Sequence, residues 1–394
     1  MTHRPTGFIA LLLIATAAVS AAEKSPAITF PLHDPNGVYW QGEGVVLSTS
    51  IAGGSPGEVD LDLVIRDYRQ GEVLRRSQRA ALAEGSQSLA WDLGQLDDGY
   101  YEATLTAAGA TAKTAFAVAP RITRSAAEVR EGGFRIGLKM WYLGPAWWRG
   151  NAEWDERAAV VATTGLGLQW TRALLQQTAY LDTVDLVTHY PMNAVLKVER
   201  FPASCYDEER YGPMAEWEAV NGKGVWGLKT LPRKEPYQAW LREQVARLPA
   251  EQNVFEVWNE AWDKMSPEDL ATLCTWISEA IHADRPQAII GPNLMGVTSR
   301  YGYDARVIDA GGMANMQMVC LHPYGSSENR AWMRDYRAWL RERLGRDVPI
   351  YVTEYGSHSC PEGPSRRSEL DQARSVVTQT LCLYAEGVVA MTPH

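Results

Sequence analysis

Two glutamates follow short apolar stretches of the kind that form buried strands. Glu260 comes after Val254–Val257, and Glu354 comes after a similar stretch later in the chain. A carboxylate at the end of a buried strand is costly to desolvate, so chemistry is one reason to keep it there. Because strand residues alternate sides, Glu256, Trp258 and Glu260 are predicted to share one face. Paired carboxylates are what cleavage of a glycosidic bond requires: one protonates the leaving oxygen and the other meets the developing positive charge.

Other polar and aromatic residues stand at the predicted ends of strands. They are Trp141, Tyr142, Arg172, Lys197, Glu199, Asn259, Asn293, His322 and Tyr324. The set contains no trio of His and carboxylates typical of a metal site, and His358 lies between Ser357 and Ser359 without an elbow motif. Glu256 is interpreted as a structural buried acid, one pleat deeper than Glu260. Glu199 is either a substrate contact or a solvated loop residue.

Strand and helix patterns alternate from residue 132 to residue 394. Strands are predicted over 134–140, 166–171, 193–198, 254–258, 288–291, 316–321, 350–353 and 387–390. The clearest helical patterns are 153–163, 236–247, 267–282, 332–344 and 368–386. Eight alternations predict a parallel (β/α)₈ TIM barrel, in which functional residues cluster at the carboxyl ends of the strands. An open doubly wound sheet is the competing fold, but no glycine-rich phosphate turn follows the first strand.

The sequence ends at residue 394, where the eighth strand is expected to end. The final barrel helix is therefore expected to be absent, and the barrel is interpreted as truncated at its carboxyl end. The alternative is that the preceding domain or a partner covers the barrel surface between its seventh and first units, where the final helix would lie. An uncovered pair of strands would expose an unusually apolar patch.

Residues 27–119 show short alternating strands separated by Gly, Asp and Pro, without helical patterns. This rhythm predicts a small immunoglobulin-like antiparallel β-sandwich that precedes the α/β barrel. No catalytic constellation is visible in it. Packing is its favoured role, and carbohydrate binding through Trp40 or Trp91 is the alternative.

The composition restricts the partners and the location of the protein. The 394 residues carry a net charge of −9 without basic runs, which argues against nucleic acid and anionic membrane surfaces as partners. Residues 1–22 have the pattern of a signal peptide, so we expect a secreted or periplasmic protein. No later stretch is long enough for membrane insertion.

The oligomeric state is not readable from the sequence. Fifteen Trp and seventeen Tyr supply rings that suit sugar faces.

Four short motifs in the barrel region together resemble one enzyme family. Trp258-Asn259-Glu260 and Thr353-Glu354-Tyr355-Gly356, with Arg172 and His322-Pro323-Tyr324, are similar to the signatures of the clan A retaining glycoside hydrolases. The resemblance covers residues 133–394 and leaves the sandwich aside. It leans towards the branch that contains β-xylosidases and α-L-iduronidases.

The resemblance implies a role for each matched residue. Glu260 would be the general acid/base, with a raised pKa, and Glu354 the nucleophile. Asn259 would bind the sugar 2-hydroxyl, while Arg172 and Tyr324 would keep Glu354 ionised. His322 would lie in the same substrate site. The carboxyl groups would stand about 5–5.5 Å apart, and no metal or cofactor would be needed.

The substrate implied is a β-linked oligo- or polysaccharide. Aromatic platforms around a sugar cleft are predicted among Trp147, Trp148, Trp217, Trp226 and Trp262, and we favour Trp262 and Trp148. The sequence departs from the family at the eighth strand, where 391–394 offers no tryptophan for the floor of the site.

Two other functions stay open at this point. One is a non-catalytic carbohydrate-binding protein with a degenerate barrel, which carboxyl groups more than about 10 Å apart would favour. The other is an esterase or metal hydrolase that uses His322 and His358.

Overall fold

The computed structural model describes thirteen stretches of the chain. They are residues 26–31, 37–53, 57–82, 85–122, 124–132, 135–138, 163–175, 183–190, 192–223, 226–296, 301–325, 330–357 and 368–393. They form two compact units, one within residues 1–33 and 42–117 and the other within 34–41 and 118–394. No helix in these stretches is both long and apolar enough to cross a membrane.

Eight strands precede the barrel. They are β1 (Ala27–Thr29), β2 (Val38–Trp40), β3 (Val45–Ala52), β4 (Gly57–Asp67), β5 (Glu72–Leu82), β6 (Ser86–Gly94), β7 (Gly99–Ala107) and β8 (Ala110–Ala119). One sheet has the order β1–β3–β6, and β8, β7, β4 and β5 lie side by side in another. The pairings of β3 with β1 and β6, and of β4 with β5 and β7, are antiparallel. The predicted antiparallel β-sandwich is confirmed.

Strand β5 was not evident from the sequence, because it lies at a sheet edge and carries charges on its exposed residues. Arg75 on β5 forms an ion pair with Asp62 on β4, and Arg79 pairs with Asp60. Such a strand is held by its backbone ladder and cross-strand pairs, so it lacks the apolar alternation that reveals a half-buried strand.

The two tryptophans considered as sugar-binding residues of the sandwich are buried. Trp40 and Trp91 are each 4% exposed, and the indole N–H of Trp91 donates to Thr49 Oγ1 at 3.0 Å. Neither ring presents a free face to solvent, which favours packing over sugar binding.

Eight parallel strands close into a barrel. They are β9 (Arg135–Leu138), β10 (Trp170–Leu174), β11 (Asn193–Val198), β12 (Val254–Val257), β13 (Ile289–Leu294), β14 (Val319–Leu321), β15 (Ile350–Tyr355) and β16 (Ala390–Pro393). Each strand is hydrogen-bonded to the next, and β16 pairs with β9. The predicted TIM barrel is confirmed.

Three barrel strands begin at least three residues later than the sequence pattern indicated: β10, β16 and β14, which starts at Val319 rather than at 316. β10 starts at Trp170 rather than at 166, because Gly167 has a φ of 79° and makes a turn there. β16 starts at Ala390 rather than at 387, because Gly387, with a φ of 74°, follows the preceding helix. Both glycines use a conformation that is open to them at little cost.

The helices of the second unit lie between its strands. They are α1 (Ala126–Glu131), α2 (Thr183–His189), α3 (Glu208–Tyr211), α4 (Met214–Asn221), α5 (Trp226–Lys229), α6 (Lys234–Ala246), α7 (Pro267–Asp284), α8 (Tyr301–Asp309), α9 (Arg330–Leu344) and α10 (Glu369–Ala385). Short 3₁₀ turns span Ala203–Cys205 and Ala261–Asp263. The start of α7 follows its sequence signal, because Ser266 Oγ accepts from the backbone N–H of Asp269 at 3.1 Å and Pro267 is the first helical residue.

Two apolar layers hold the barrel strands in place. Val195, Val254 and Tyr351 belong to an inner cluster, whereas Phe255 and Val257 belong to a larger outer cluster between strands and helices. Each fully buried large side chain of this kind contributes about 1.5–3 kcal/mol. These two apolar clusters therefore stabilise the barrel, whereas the polar side chains inside it contribute little to the stability of the fold.

A close approach of two barrel strands predicts a specific effect of adding one methyl group. A Cβ on Gly291 of β13 would lie 2.0 Å from the carbonyl oxygen of Met318. We expect Gly291→Ala to lower the free energy of unfolding by about 3 kcal/mol or more, measured by urea unfolding.

Gly302 in α8 is the matched control, because a Cβ there meets nothing within 4 Å. Gly302→Ala should raise the stability by up to about 1 kcal/mol. Equal stability of Gly291→Ala and the parent would show that β13 and the Met318 backbone are not packed as described.

Candidate active site

The guanidinium of Arg172 lies at the centre of the barrel mouth. Arg172 is in β10, and its side chain is 1% exposed. Nε donates to Glu256, Nη1 donates to Glu354, and Nη2 donates to Asn259 Oδ1 at 2.8 Å. Burial alone would lower the pKa of Arg172, but the charges of Glu256 and Glu354 raise it. One permanent cation on β10 therefore binds residues of two other strand ends, those of β12 and β15.

Glu354 lies in β15 and is 5% exposed. One of its oxygens accepts from Arg172, and the other accepts from the Tyr324 hydroxyl at 2.7 Å. A neighbouring cation and a donated hydrogen bond both favour an ionised carboxylate. The structure thus prepares Glu354 as an anion that is shielded from bulk water.

Glu260 lies just after β12, on a sharply turned backbone. Its φ and ψ are 51° and 52°, and Trp258 two residues earlier has a φ of 67°. Left-handed conformations at residues other than glycine cost on the order of 1 kcal/mol or more each. The backbone N–H of Glu260 donates to Asn293 Oδ1 at 2.9 Å, which helps to hold this turn. The Glu260 side chain is 34% exposed and faces the barrel mouth beside His322.

The turn corrects the prediction that Glu256, Trp258 and Glu260 share a face. Strand alternation ends at Val257, and the positive φ of Trp258 swings its side chain into the outer apolar cluster, where it is 0% exposed. Glu256 and Glu260 do meet the same site, but through a turn rather than through a regular pleat.

His322 follows β14 and connects the two glutamates to the barrel wall. Its Nδ1 lies 3.1 Å from Glu260 Oε1 and 3.8 Å from Glu354 Oε2. Its Nε2 lies 3.1 Å from Thr353 Oγ1. The rings of Trp262 and Tyr324 meet the His322 ring edge-on, with centroids 6.3 and 6.4 Å away. These hydrogen-bond and ring contacts therefore hold the imidazole in one orientation.

The pKa of Glu260 differs in direction from the prediction for a general acid. The hydrogen bond between His322 and Glu260 lowers the pKa of Glu260 when Nδ1 carries the hydrogen, while burial raises it. A raised pKa was predicted. The difference arises because a donated hydrogen bond stabilises the carboxylate form. The protonation state of Glu260 is thus governed by which proton His322 carries.

Glu256 is more than an isolated buried acid. It accepts hydrogen bonds from Arg172, from Asn293 Nδ2 at 2.9 Å and from Thr353 Oγ1 at 2.7 Å. Burial raises the pKa of Glu256, but the Arg172 charge and the His322 contact outweigh burial and bring it to about 2. Glu256 is therefore ionised and forms the lower end of the site.

A second ionic group lies beside Asn259. Lys197 Nζ is 2.6 Å from Glu199, and Lys264 Nζ is 3.4 Å from the other Glu199 oxygen and also donates to the backbone carbonyl of Asn259. Burial and the nearby Arg172 charge lower the pKa of Lys197 to about 8, against the effect of Glu199. Glu199 is 4% exposed, so its interpretation as a solvated loop residue is wrong.

Sequence reasoning missed Lys264 and Thr353 as members of the site. Lys264 lies in the loop after the 3₁₀ turn, and Thr353 was read only as part of the Glu354 motif. The one signal for Thr353 was its place beside Glu354 in a strand whose alternate residues face the barrel interior. Nothing in the spacing of Lys264 indicated that it would turn back towards Asn259.

The separation of the two catalytic candidates distinguishes between chemistries. An oxygen of Glu260, an oxygen of Glu354 and a nitrogen of His322 all lie within 4.8 Å of one another. Retaining glycosidases place their carboxyl groups about 5–5.5 Å apart, whereas inverting enzymes need about 6.5–9.5 Å.

The same three residues have the ligand types of a metal site. Their surroundings fit paired carboxylates better. Arg172 and Tyr324 already donate to the two oxygens of Glu354. The positive guanidinium compensates the negative charge of Glu354, which would otherwise attract a metal cation.

Most of the predicted site residues come together at the barrel mouth. The group consists of Arg172, Asn259, Glu260, His322, Tyr324 and Glu354, with Trp262 against His322. Trp141, Tyr142, Trp147, Trp148 and His358 lie outside the described residues. Trp217 is partly buried and packs against the outer apolar cluster. The roles of these residues stay predictions.

No protein-family model and no curated protein matches the chain. Solved structures that match the chain include a Bacteroides uniformis β-glucuronidase, with 13% identity and a TM-score of 0.41. The matched region covers 94% of this chain and 45% of the β-glucuronidase. A Dictyoglomus thermophilum β-D-glucuronidase has 13% identity, a TM-score of 0.41 and coverages of 94% and 61%.

A glycosyl hydrolase family 2 member from Bacteroides cellulosilyticus has 14% identity, a TM-score of 0.36 and coverages of 94% and 43%. The chain thus spans less than two thirds of each of these proteins. At such identities the likeness concerns the fold alone. The lean towards the β-xylosidase and α-L-iduronidase branch stays a prediction.

The buried contacts of Glu256 predict a large and pH-dependent effect of neutralising it. Glu256→Gln leaves Arg172 with one carboxylate and should cost about 3–5 kcal/mol of unfolding free energy at neutral pH. The pKa of Glu256 is depressed, so its contribution is full above about pH 4.5 and is lost as the pH falls towards 2. Urea unfolding of variant and parent between about pH 3 and 7 measures the difference.

Glu268→Gln is the matched control, because Glu268 pairs with Arg306 at the surface. This variant should unfold close to the parent. A difference between Glu256→Gln and the parent that stays constant down to the lowest pH would contradict the ionised state of Glu256.

Proposed function

We propose that this protein is a retaining glycoside hydrolase that acts on a β-linked oligo- or polysaccharide. The observation that carries the proposal is the pair Glu260 and Glu354, which come from the ends of β12 and β15 and have oxygens within 4.8 Å of each other. That distance is close to the spacing of a double-displacement site and too short for the intervening water of an inverting site. The fold and its active-site position at the carboxyl ends of the strands agree with this chemistry.

In the first step, a Glu354 oxygen attacks the anomeric carbon while Glu260 gives its proton to the leaving oxygen. The glycosidic C–O bond breaks, and a covalent glycosyl-enzyme forms with Glu354. In the second step, Glu260, now a carboxylate, takes a proton from water, and the water oxygen attacks the same carbon. Glu354 leaves as a carboxylate, so every proton is returned and the configuration is retained.

Arg172 and Tyr324 set the electrostatics of the nucleophile. Their contacts with the two Glu354 oxygens keep the carboxylate charged and fix its orientation before the substrate arrives. Preorganised donors and charges of this kind need no rearrangement when the transition state forms.

Asn259 is oriented for a sugar hydroxyl by the same guanidinium. Because Arg172 only donates hydrogen bonds, the amide oxygen of Asn259 faces Nη2. The amide NH₂ of Asn259 therefore points elsewhere as a donor. We assign it to the 2-hydroxyl of the bound sugar, and we assign the half-buried Trp262 ring to the substrate cleft.

The carbohydrate-binding alternative without catalysis fits the geometry less well. It would be favoured by carboxyl groups more than about 10 Å apart, and the observed oxygens are within 4.8 Å. A buried anion supported by Arg172 also exceeds what binding of a neutral sugar needs. Secretion or export to the periplasm, expected from residues 1–22, belongs to the proposal.

The nucleophile assignment predicts a complete loss of covalent labelling in one variant. Glu354→Gln should abolish turnover and should also abolish labelling by a fluorinated glycosyl inactivator, because the attacking carboxylate is gone. Intact-protein mass spectrometry measures the adduct, with a panel of defined glycosides as the source of the sugar.

The exposed Glu268→Gln variant serves as the labelling control and should form the adduct at the parental rate. Undiminished labelling of Glu354→Gln would rule out the assignment of the nucleophile.

The acid/base assignment predicts a dependence on the leaving group. Glu260→Ala should lower kcat/KM by about 10²–10⁴ for substrates with poorly acidic leaving groups and far less for activated aryl glycosides. Added azide should restore turnover and give a glycosyl azide of retained configuration. An equal loss for all leaving groups, without azide rescue, would show that Glu260 does not transfer the proton.

A further inference from the structure

A continuous hydrogen-bond chain connects the buried Glu256 to the exposed Glu260. Thr353 Oγ1 lies 2.7 Å from Glu256 Oε1 and 3.1 Å from His322 Nε2. His322 Nδ1 lies 3.1 Å from Glu260 Oε1. The middle members Thr353 and His322 are 0% and 4% exposed, so water does not compete with these contacts.

The direction of each hydrogen bond in the chain follows from its lower end. Glu256 is ionised and can only accept, and Thr353 has a single hydroxyl hydrogen. That hydrogen is directed to Glu256. The lone pair of Thr353 Oγ1 then faces Nε2 of His322, and so Nε2 must carry a hydrogen. Glu256 itself, 3.7 Å from Nε2, adds a second negative neighbour but is too far for a hydrogen bond.

A neutral imidazole carries one hydrogen, so Nδ1 of His322 is left with a lone pair. That lone pair faces Glu260 Oε1. A hydrogen bond across this gap therefore needs a proton from the carboxyl group of Glu260. The alternative neutral ring, with its hydrogen on Nδ1, would stabilise the carboxylate and deprive Glu260 of the proton that it must give.

We propose that Glu256 and Thr353 are positioning residues that fix His322 as the Nε2–H tautomer, so that Nδ1 holds the transferable proton on Glu260. This proposal rests on the proposed glycosidase function and extends it to two residues that do not touch the substrate. In the first step the proton moves from Glu260 to the leaving oxygen. In the second it returns from water to Glu260, while His322 keeps its Nε2 hydrogen.

The charged neighbours of His322 make this arrangement pH-dependent. Glu260 and Glu354 face Nδ1, and Glu256 faces Nε2. Once the ring takes a second proton, Nδ1 becomes a donor, and the hydrogen bond lowers the pKa of Glu260. The alkaline limb of activity therefore reports the loss of the transferable proton from Glu260.

Nuclear magnetic resonance of the full chain, labelled with ¹⁵N-histidine, tests the tautomer directly. Long-range ¹H–¹⁵N correlations distinguish the Nε2–H, Nδ1–H and doubly protonated rings, and His322→Asn identifies the signal among the seven histidines. We expect a neutral His322 with its hydrogen on Nε2. A neutral ring with its hydrogen on Nδ1, or a doubly protonated ring at neutral pH, would overturn the proposal without any variant, because Nδ1 would then donate to Glu260.

Thr353→Val and Thr353→Ser test the connection to Glu256. Thr353→Val removes the hydroxyl but keeps the branched shape, so the Nδ1–H tautomer should become populated and the alkaline limb of kcat/KM should move down by about one pH unit. Thr353→Ser keeps the hydroxyl and should restore the parental tautomer and limb. A uniform loss of activity in Thr353→Val, with tautomer and limb unmoved, would reduce Thr353 to a packing role and overturn the proposal.

The tautomer is measured without substrate, so this test stays separate from the proposed function. A chain that hydrolyses no glycoside would refute the function. The position of the His322 hydrogen would still decide whether Glu256 and Thr353 fix the ring.

Discussion

The buried guanidinium of Arg172 is the interaction on which the barrel mouth depends. Among the residues that the structure describes, it is the one group that contacts Glu256, Glu354 and Asn259 together, and its side chain is 1% exposed. Two carboxylates this close repel each other in a medium of low dielectric constant unless a cation stands between them. Desolvating three charges costs several kcal/mol for each ion, so the cluster is not there to stabilise the fold. The outer apolar layer around Phe255, Val257 and Trp258 offsets that cost.

The charges of the cluster fit the proposed reaction. Arg172 carries one positive charge and the two carboxylates carry two negative ones, which leaves the buried group with a net negative charge. A sugar that passes through an oxocarbenium-like transition state develops positive charge in this position. The left-handed turn at Glu260 places the remaining carboxyl group beside His322 rather than beside Arg172. The two glutamates therefore have different partners only a few ångströms apart: Glu354 contacts a permanent cation, and Glu260 contacts an imidazole whose protonation can change.

The sequence revealed the barrel and most of the candidate site for a clear physical reason. Buried parallel strands read as apolar runs, and in a barrel their carboxyl ends meet, so polar residues at those ends could be grouped without knowledge of any distance. Strand 193–198 was predicted to the residue, and Glu354 and Arg172 were placed at the right mouth.

What the sequence could not show depends on backbone turns and three-dimensional register. The positive φ at Trp258 breaks the strand alternation, so Trp258 packs outward although its position predicted the site face. The contact of Lys264 with Asn259 depends on the path of a loop, and the connection from Thr353 to His322 depends on how β14 and β15 are paired. β5 was missed because its charged, exposed residues carry no apolar period.

The central claim is that Glu260 and Glu354 work as the close pair of a double displacement. The most direct measurement is the anomeric configuration of the first product, followed by ¹H nuclear magnetic resonance before mutarotation, on any glycoside that the protein cleaves. The geometry predicts that the product first formed has the configuration of the substrate. Initial release of the opposite anomer would contradict the account, because inversion requires a water molecule between carboxyl groups that stand farther apart.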